Sequence, residues 1–120
     1  MIFNMKFSDY WFGIIFKKKS QFEKSLNSYK KAIKLKPHYF EAYNNLGLLY
    51  LDLSDFKNAI DNFNKAIEIN QKYSEAYQNR GVAYSLVGKY IQSTKDFEEL
   101  KVLDASKRFF CEANILFNKA

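Results

Sequence analysis

Between residues 55 and 69 the apolar positions recur at spacings of three and four: Phe56, Ala59, Ile60, Phe63, Ala66 and Ile67. That spacing gathers them on one face of an α-helix. Tyr43, Leu46, Gly47 and Tyr50 do the same in the preceding stretch. No segment alternates at period two, so no sheet is expected. The breaks between helical stretches carry their own signals. Ser20-Gln21-Phe22-Glu23 reads as a capping box. Ser54 and Asp55 can cap the helix that follows them, and Gly88 reads as a glycine just past a helix end. The pattern predicts an all-α chain of about seven helices, near 7–18, 21–36, 39–52, 55–69, 73–86, 89–103 and 106–118.

The helical pattern itself repeats. Gly13, Gly47 and Gly81 are evenly spaced. Three positions later stand Phe16, Tyr50 and Tyr84. Nine after the glycine stand Phe22, Phe56 and Tyr90, then the small residues Ser25, Ala59 and Ser93, then Tyr29, Phe63 and Phe97. Ala32 and Ala66 follow, with Leu100 breaking the rule, and Pro37 closes the first unit. A fixed period of this size signals a repeat architecture. With its 34-residue helix–turn–helix units, small residues and aromatics in set places, the chain resembles the tetratricopeptide repeat (TPR) family. The units 6–39, 40–73 and 74–107 cover 102 of the 120 residues.

This resemblance implies an α-solenoid of antiparallel helix pairs in a single domain, 1–120. A helix pair cannot bury its apolar face alone, so about three stacked units are the minimum for stability. Glycine in mid-helix costs roughly 1 kcal/mol relative to alanine. Its recurrence three times therefore points to close helix packing. Phe109, Phe110, Ala113, Leu116 and Phe117 form an apolar stripe with no glycine in register, which reads as a capping helix near 106–118 over the third unit.

Charge is unevenly placed along the chain. Residues 1–36 hold nine lysines against Asp9 and Glu23, net +7; residues 37–120 hold ten basic and eleven acidic residues, net −1; together these give the +6 of the whole. The basic patch is Lys17, Lys18, Lys19, Lys24, Lys30, Lys31, Lys34 and Lys36. Two readings stay open: a solvated outer face of the first unit, or attraction to an anionic membrane surface or acidic partner. Nucleic acid is not expected, because Arg80 and Arg108 are the only arginines and arginine is the usual reader of phosphate and guanine. The longest apolar run, Tyr10 to Phe16, is seven residues, against the ~18 of a membrane span. It precedes its lysines, the reverse of a secretory signal. With Cys111 alone, no intramolecular disulfide can form, which fits the cytoplasm, an organelle stroma or another reducing compartment.

Little in the chain suggests catalysis. His38 and Cys111 are single and far apart, so neither a zinc site nor a Cys–His dyad can be assembled. The four glycines never cluster into a phosphate loop. The chain reads as a non-enzyme without metal or cofactor.

The resemblance also places a candidate groove. First helices of successive TPR units line a concave face. The corresponding slots here hold Asn44, Asn45 and Leu48, then Gln78, Asn79 and Val82, with Glu41 and Glu75 one turn earlier and Asp52 at the far end. Asn45 and Asn79 fill one slot in neighbouring units, similar to the asparagine ladders of arrays that hold extended peptides. Each amide offers a donor and an acceptor to a peptide backbone. The same slots in the first unit hold Tyr10, Trp11 and Ile14, a candidate apolar anchor. TPR domains that grip the C-termini of Hsp70 and Hsp90 use a carboxylate clamp of lysine, asparagine and arginine. Of its five positions only Asn45 matches; Tyr10, Ile14, Glu75 and Asn79 occupy the others, so no such clamp is expected. The implied function is protein–protein interaction by an adaptor, scaffold or assembly factor holding a peptide or helix. The alternative is a peripheral membrane or organelle assembly protein docked through the basic first unit.

Overall fold

A computed structural model describes residues 7–120, with side chains from Lys18 onward. Six α-helices and a short 3₁₀ turn follow one another: α1 Phe7–Leu35, α2 Phe40–Asp52, α3 Phe56–Ile69, α4 Ser74–Leu86, α5 Tyr90–Leu103, the 3₁₀ turn Ala105–Lys107, and α6 Arg108–Lys119. No strand occurs among the described residues. From α2 onward every helix lies within two residues of its expected bounds.

The first unit is the exception. The expected helices 7–18 and 21–36 are one continuous helix, α1, of 29 residues, which corrects the reading of Ser20-Gln21-Phe22-Glu23 as a helix start. The turns in the later units explain why. The second unit turns at Ser54 with φ 58°, and the third at Gly88 with φ 79°. Both are left-handed, a conformation that glycine adopts freely and serine only with support from its surroundings. The counterpart in the first unit is Ser20, flanked by Lys19 and Gln21, which are good helix formers. Nothing local breaks the helix there. In the second unit Asp55 does cap α3: its carboxylate accepts from the Asn58 backbone N–H at 3.3 Å and from Asn58 Nδ2 at 2.7 Å.

Each helix packs on the next, and α2 also touches α4 across α3, as stacked pairs require. The core is strung along the stack in three clusters. Ala66, Ile67 and Ala76 are covered by Phe40, Tyr43, Tyr73 and Tyr77. Ala59, Phe63 and Ala83 are covered by Leu48, Tyr50, Leu51 and Ile60. Phe97, Leu100, Cys111 and Ile115 are flanked by Tyr77 and Val82. The mid-helix glycines mark the tightest approaches. A Cβ added at Gly47 would lie 2.5 Å from Phe63 Cε1, and one at Gly81 would lie 3.1 Å from Phe97 Cε1.

At the far end, α6 starts one full repeat interval after α4. It therefore stands where the first helix of a further unit would stand, with Ile115 in the glycine slot. Cys111 and Ile115 face the core. The other side of α6 leaves Phe109, Leu116 and Phe117 at 86%, 66% and 65% exposure, an apolar surface where a terminal cap would ordinarily be polar.

Candidate functional site

Two consecutive first helices, α2 and α4, and the turn after α5 enclose a polar recess of about 350 Å³. Its walls are Leu48 from α2, Ser74, Glu75, Gln78 and Asn79 from α4, and Asp104 and Lys107 from the turn. Four of the groove residues expected from sequence therefore come together: Leu48, Glu75, Gln78 and Asn79. Asp104 and Lys107 were not foreseen, because the turn that carries them lies outside the repeated first helices. Asp104 is fixed in place by accepting from the Ser106 backbone N–H at 3.1 Å and from Ser106 Oγ at 2.6 Å.

Behind the recess runs a chain of polar bonds. Asn79 Nδ2 donates to Asn44 Oδ1 at 2.9 Å. Asn44 Nδ2 points to the Tyr73 hydroxyl at 3.5 Å, and that hydroxyl donates to Glu75 Oε2 at 2.9 Å. Burial, reinforced by the hydrogen bond and charge of Glu75, pushes the Tyr73 hydroxyl up to about 12. Tyr73 therefore stays a donor through the neutral range. The network fixes the Glu75 carboxylate and the Asn79 amide before any ligand arrives.

Several expected site residues stand elsewhere. Asn44 is 1% exposed, so it supports the recess from within and does not face a ligand. Asn79, one of the two residues of the expected Asn45–Asn79 ladder, bonds directly to Asn44. The reason is geometric. Equivalent residues of stacked units are separated by a whole unit, and paired helix axes are themselves about 8–10 Å apart. A direct bond must join the forward-facing residue of one unit to the backward-facing residue of the next. Asn45 is half-buried. Val82 is half-buried and packs against the cluster of Phe97, Leu100, Cys111 and Ile115. Glu41 is exposed and close enough to Tyr73 for its charge to raise that hydroxyl. Asp52 lines a different recess, of about 480 Å³, with Lys18, Gln21, Phe22, Ser25, Leu49 and Leu53. Lys18, Lys19, Lys24, Lys30, Lys31, Lys34 and Lys36 are all exposed. The side chains of Tyr10, Trp11, Ile14 and Lys17 lie outside the described residues.

The best-formed polar cluster is one the sequence reading passed over. Arg80 donates from Nε and Nη2 to the two oxygens of Asp96 at 2.9 and 2.7 Å, and from Nη1 to Asn64 Oδ1 at 2.9 Å. The rings of Tyr77 and Tyr84 lie beneath its guanidinium. Asp96 is 4% exposed. Burial raises its carboxyl above the ordinary range although Arg80 pulls it back. The signal was present. Arg80 and Asp96 stand at the same interval as Gly47 and Phe63, one slot earlier in the unit. In the second unit the two slots hold Leu46 and Asn62.

Among the described residues no group of three His, Cys, Asp or Glu side chains could hold a metal ion, and no helix is long and apolar enough to cross a membrane.

The repeat geometry and this recess define a class of helical-repeat protein. Residues 13–54 match a family model described as TPR repeat, and residues 40–73 and 62–95 match two described as tetratricopeptide repeat. The chain belongs to the tetratricopeptide repeat family. No curated protein sequence matches it. Solved structures do. The Arabidopsis OM64 TPR domain is 28% identical with a TM-score of 0.77, over 89% of this chain and 88% of that one. The second TPR of Spaghetti (RPAP3), solved with the Hsp90 peptide SRMEEVD, is 26% identical with a TM-score of 0.68, over 77% and 85%. The TPR2B domain of yeast Sti1, solved in an Hsp70 complex, is 23% identical with a TM-score of 0.77, over 89% and 90%.

Proposed function

We propose that this chain is a non-catalytic protein–protein interaction module, an adaptor, scaffold or assembly factor that holds a peptide or helix against α2 and α4. The observation that carries this is the recess between those helices. It brings a fixed carboxylate, two amides, an apolar side chain and a lysine to one place, with Tyr73 and Asn44 bracing them from behind. Such convergence suits a ligand that presents backbone donors and acceptors beside a small apolar group. The family and the peptide-bound state of one structural neighbour support the same reading.

The ligand differs in kind from an acidic C-terminus. Glu75 stands where a clamp lysine would stand and Asn79 where an arginine would stand, and Glu41 and Asp104 add negative charge that Lys107 only partly offsets. An incoming carboxylate would meet like charge and lose the charge-assisted bonds that a clamp supplies.

The test is a peptide-display selection on the full chain, followed by fluorescence anisotropy with the selected peptides. Glu75→Ala with Gln78→Ala should weaken binding at least tenfold, whereas SRMEEVD should not bind. Tight binding of SRMEEVD, or selected peptides indifferent to both substitutions, defeats the proposal. The exposed lysines of α1 keep a second reading alive, docking on anionic membranes. Co-sedimentation with phosphatidylserine vesicles that is lost on changing Lys30, Lys31 and Lys34 to glutamate, with peptide binding spared, would favour it.

A further inference from the structure

Among the described residues, the core of the first unit is only partly covered. Where the second unit meets the third, Ala59, Phe63 and Ala83 are fully buried beside Leu48, Tyr50 and Leu51 of α2. Counting back one repeat interval, the covered positions are Ser25, Tyr29 and Leu49, and all three are only half-buried. The covering positions become Ile14, Phe16 and Lys17, all in the N-terminal half of α1. Because α1 is continuous, that half runs on past the site it would cover. An apolar trough is left open there, about 590 Å³ in volume, over Phe22, Leu26 and Leu53 with Lys18, Lys19 and Glu23 at its edges.

The glycine register makes the same point. Gly47 abuts Phe63 and Gly81 abuts Phe97, two pairs with the same separation along the chain. The equivalent pair is Gly13 and Tyr29. In one straight helix those residues are about 24 Å apart, so they cannot meet within a chain folded this way. The segment 7–18 carries the pattern of a lid but cannot close on its own trough.

We propose that residues 7–18 of a second copy of this chain fill the trough, so that two chains exchange their first helices. The exchange is reciprocal and closes as a dimer, with no free end left to propagate, and exchange of an identical element is a low-cost route to dimers. Each chain then obtains the Gly13–Tyr29 contact from the other. The hinge is Ser20. Its counterparts Ser54 and Gly88 are left-handed turns, whereas Ser20 stays helical. The Tyr10, Trp11 and Ile14 slots travel with the exchanged helix, so the first-unit end of each groove would belong to the other copy. This inference does not depend on what the groove binds.

The experiment is size-exclusion chromatography with light scattering on the full chain over a range of concentrations. The expected mass is twice 14.2 kDa. Gly13→Glu places a charge in the tight slot and should give monomer. Ser20→Gly frees the hinge to turn back. At about fivefold for each of the two hinges, it should weaken the dimer about twenty-five-fold, while Ser20→Ala should leave it intact. Phe117→Glu, on the exposed side of α6, should also leave it intact. Circular dichroism confirms that each variant remains helical. A wild-type mass equal to that of a single chain at every concentration overturns the proposal. So does a dimer that survives Gly13→Glu, is unmoved by Ser20→Gly, or is lost in Phe117→Glu.

Discussion

Gly47 and Gly81 occupy the same slot in successive units, yet the structure assigns them different tolerances. A methyl at Gly47 would sit 2.5 and 2.7 Å from Phe63 Cε1 and Cδ1; at Gly81 the nearest atoms are Phe97 Cε1 and Cζ at 3.1 Å and Asp96 Cβ at 3.3 Å. Carbon atoms ordinarily rest about 3.5–4.0 Å apart. Phe63 must therefore retreat by about 1 Å, and Phe97 by a few tenths of an ångström. Phe63 is wholly buried between Ala59 and Ala83, so it has nowhere to go without moving α2 away from α3. Alanine gains roughly 1 kcal/mol over glycine in a helix at either position. Overpacking of this kind costs about 1–3 kcal/mol. Gly47→Ala should thus be destabilising by about 1 kcal/mol, whereas Gly81→Ala should fall near zero. Because the propensity gain is common to both, the difference of about 1–2 kcal/mol isolates the steric contribution. Equilibrium urea unfolding followed by circular dichroism measures it, provided the slope is unchanged between variants. If Gly47→Ala proved as stable as Gly81→Ala or more so, the close contact between Gly47 and Phe63 would be wrong, and with it the helix register.

Three further outcomes follow from particular residues. Asp96→Ala should cost about 2–4 kcal/mol because it strands Arg80 within a largely buried site, while Arg80→Leu with Asp96→Asn, the pair the second unit already uses, should be near neutral; urea unfolding of both variants decides it. Tyr73 holds its proton to about pH 12 in the fold but only to about pH 10 when unfolded. The fold favours the protonated form, so stability should drop as pH rises from about 10 to 12, and Tyr73→Phe should remove that part of the alkaline loss in thermal melts. Cys111 is buried and its thiol is raised by that burial, so a thiol reagent should label it slowly in the native state and rapidly once Ile115→Ala loosens α6.

The fold was legible from sequence wherever one rule governed it. From α2 onward, periodicity, capping residues and the glycine–aromatic slots agree, and helix bounds and close contacts fall where they point. The first unit failed because the turn at 19–21 is not encoded locally. Its serine needs tertiary support for a left-handed turn, and Lys19 and Gln21 favour helix. The recess was legible at Glu75, Gln78 and Asn79, which line it together from α4. It was misread at Asn44, which is buried, because slot rules give the direction of a side chain, not whether a neighbour covers it. Asn44 is enclosed beside the Tyr73 hydroxyl. Arg80 and Asp96 are not recognisable as partners along either helix alone. The pair is visible only across the interval that joins the two helices of one unit.

The recess between α2 and α4 is the proposed binding surface. The most direct measurement is a heteronuclear NMR titration of the full chain with a peptide selected by display. Amide shifts and line broadening should concentrate on Leu48, Ser74, Glu75, Gln78, Asn79 and Lys107, with the lysine-rich face of α1 unmoved. Perturbations confined to Lys24, Lys30, Lys31 and Lys34, with α4 silent, would contradict the proposal and place the working surface on the first helix.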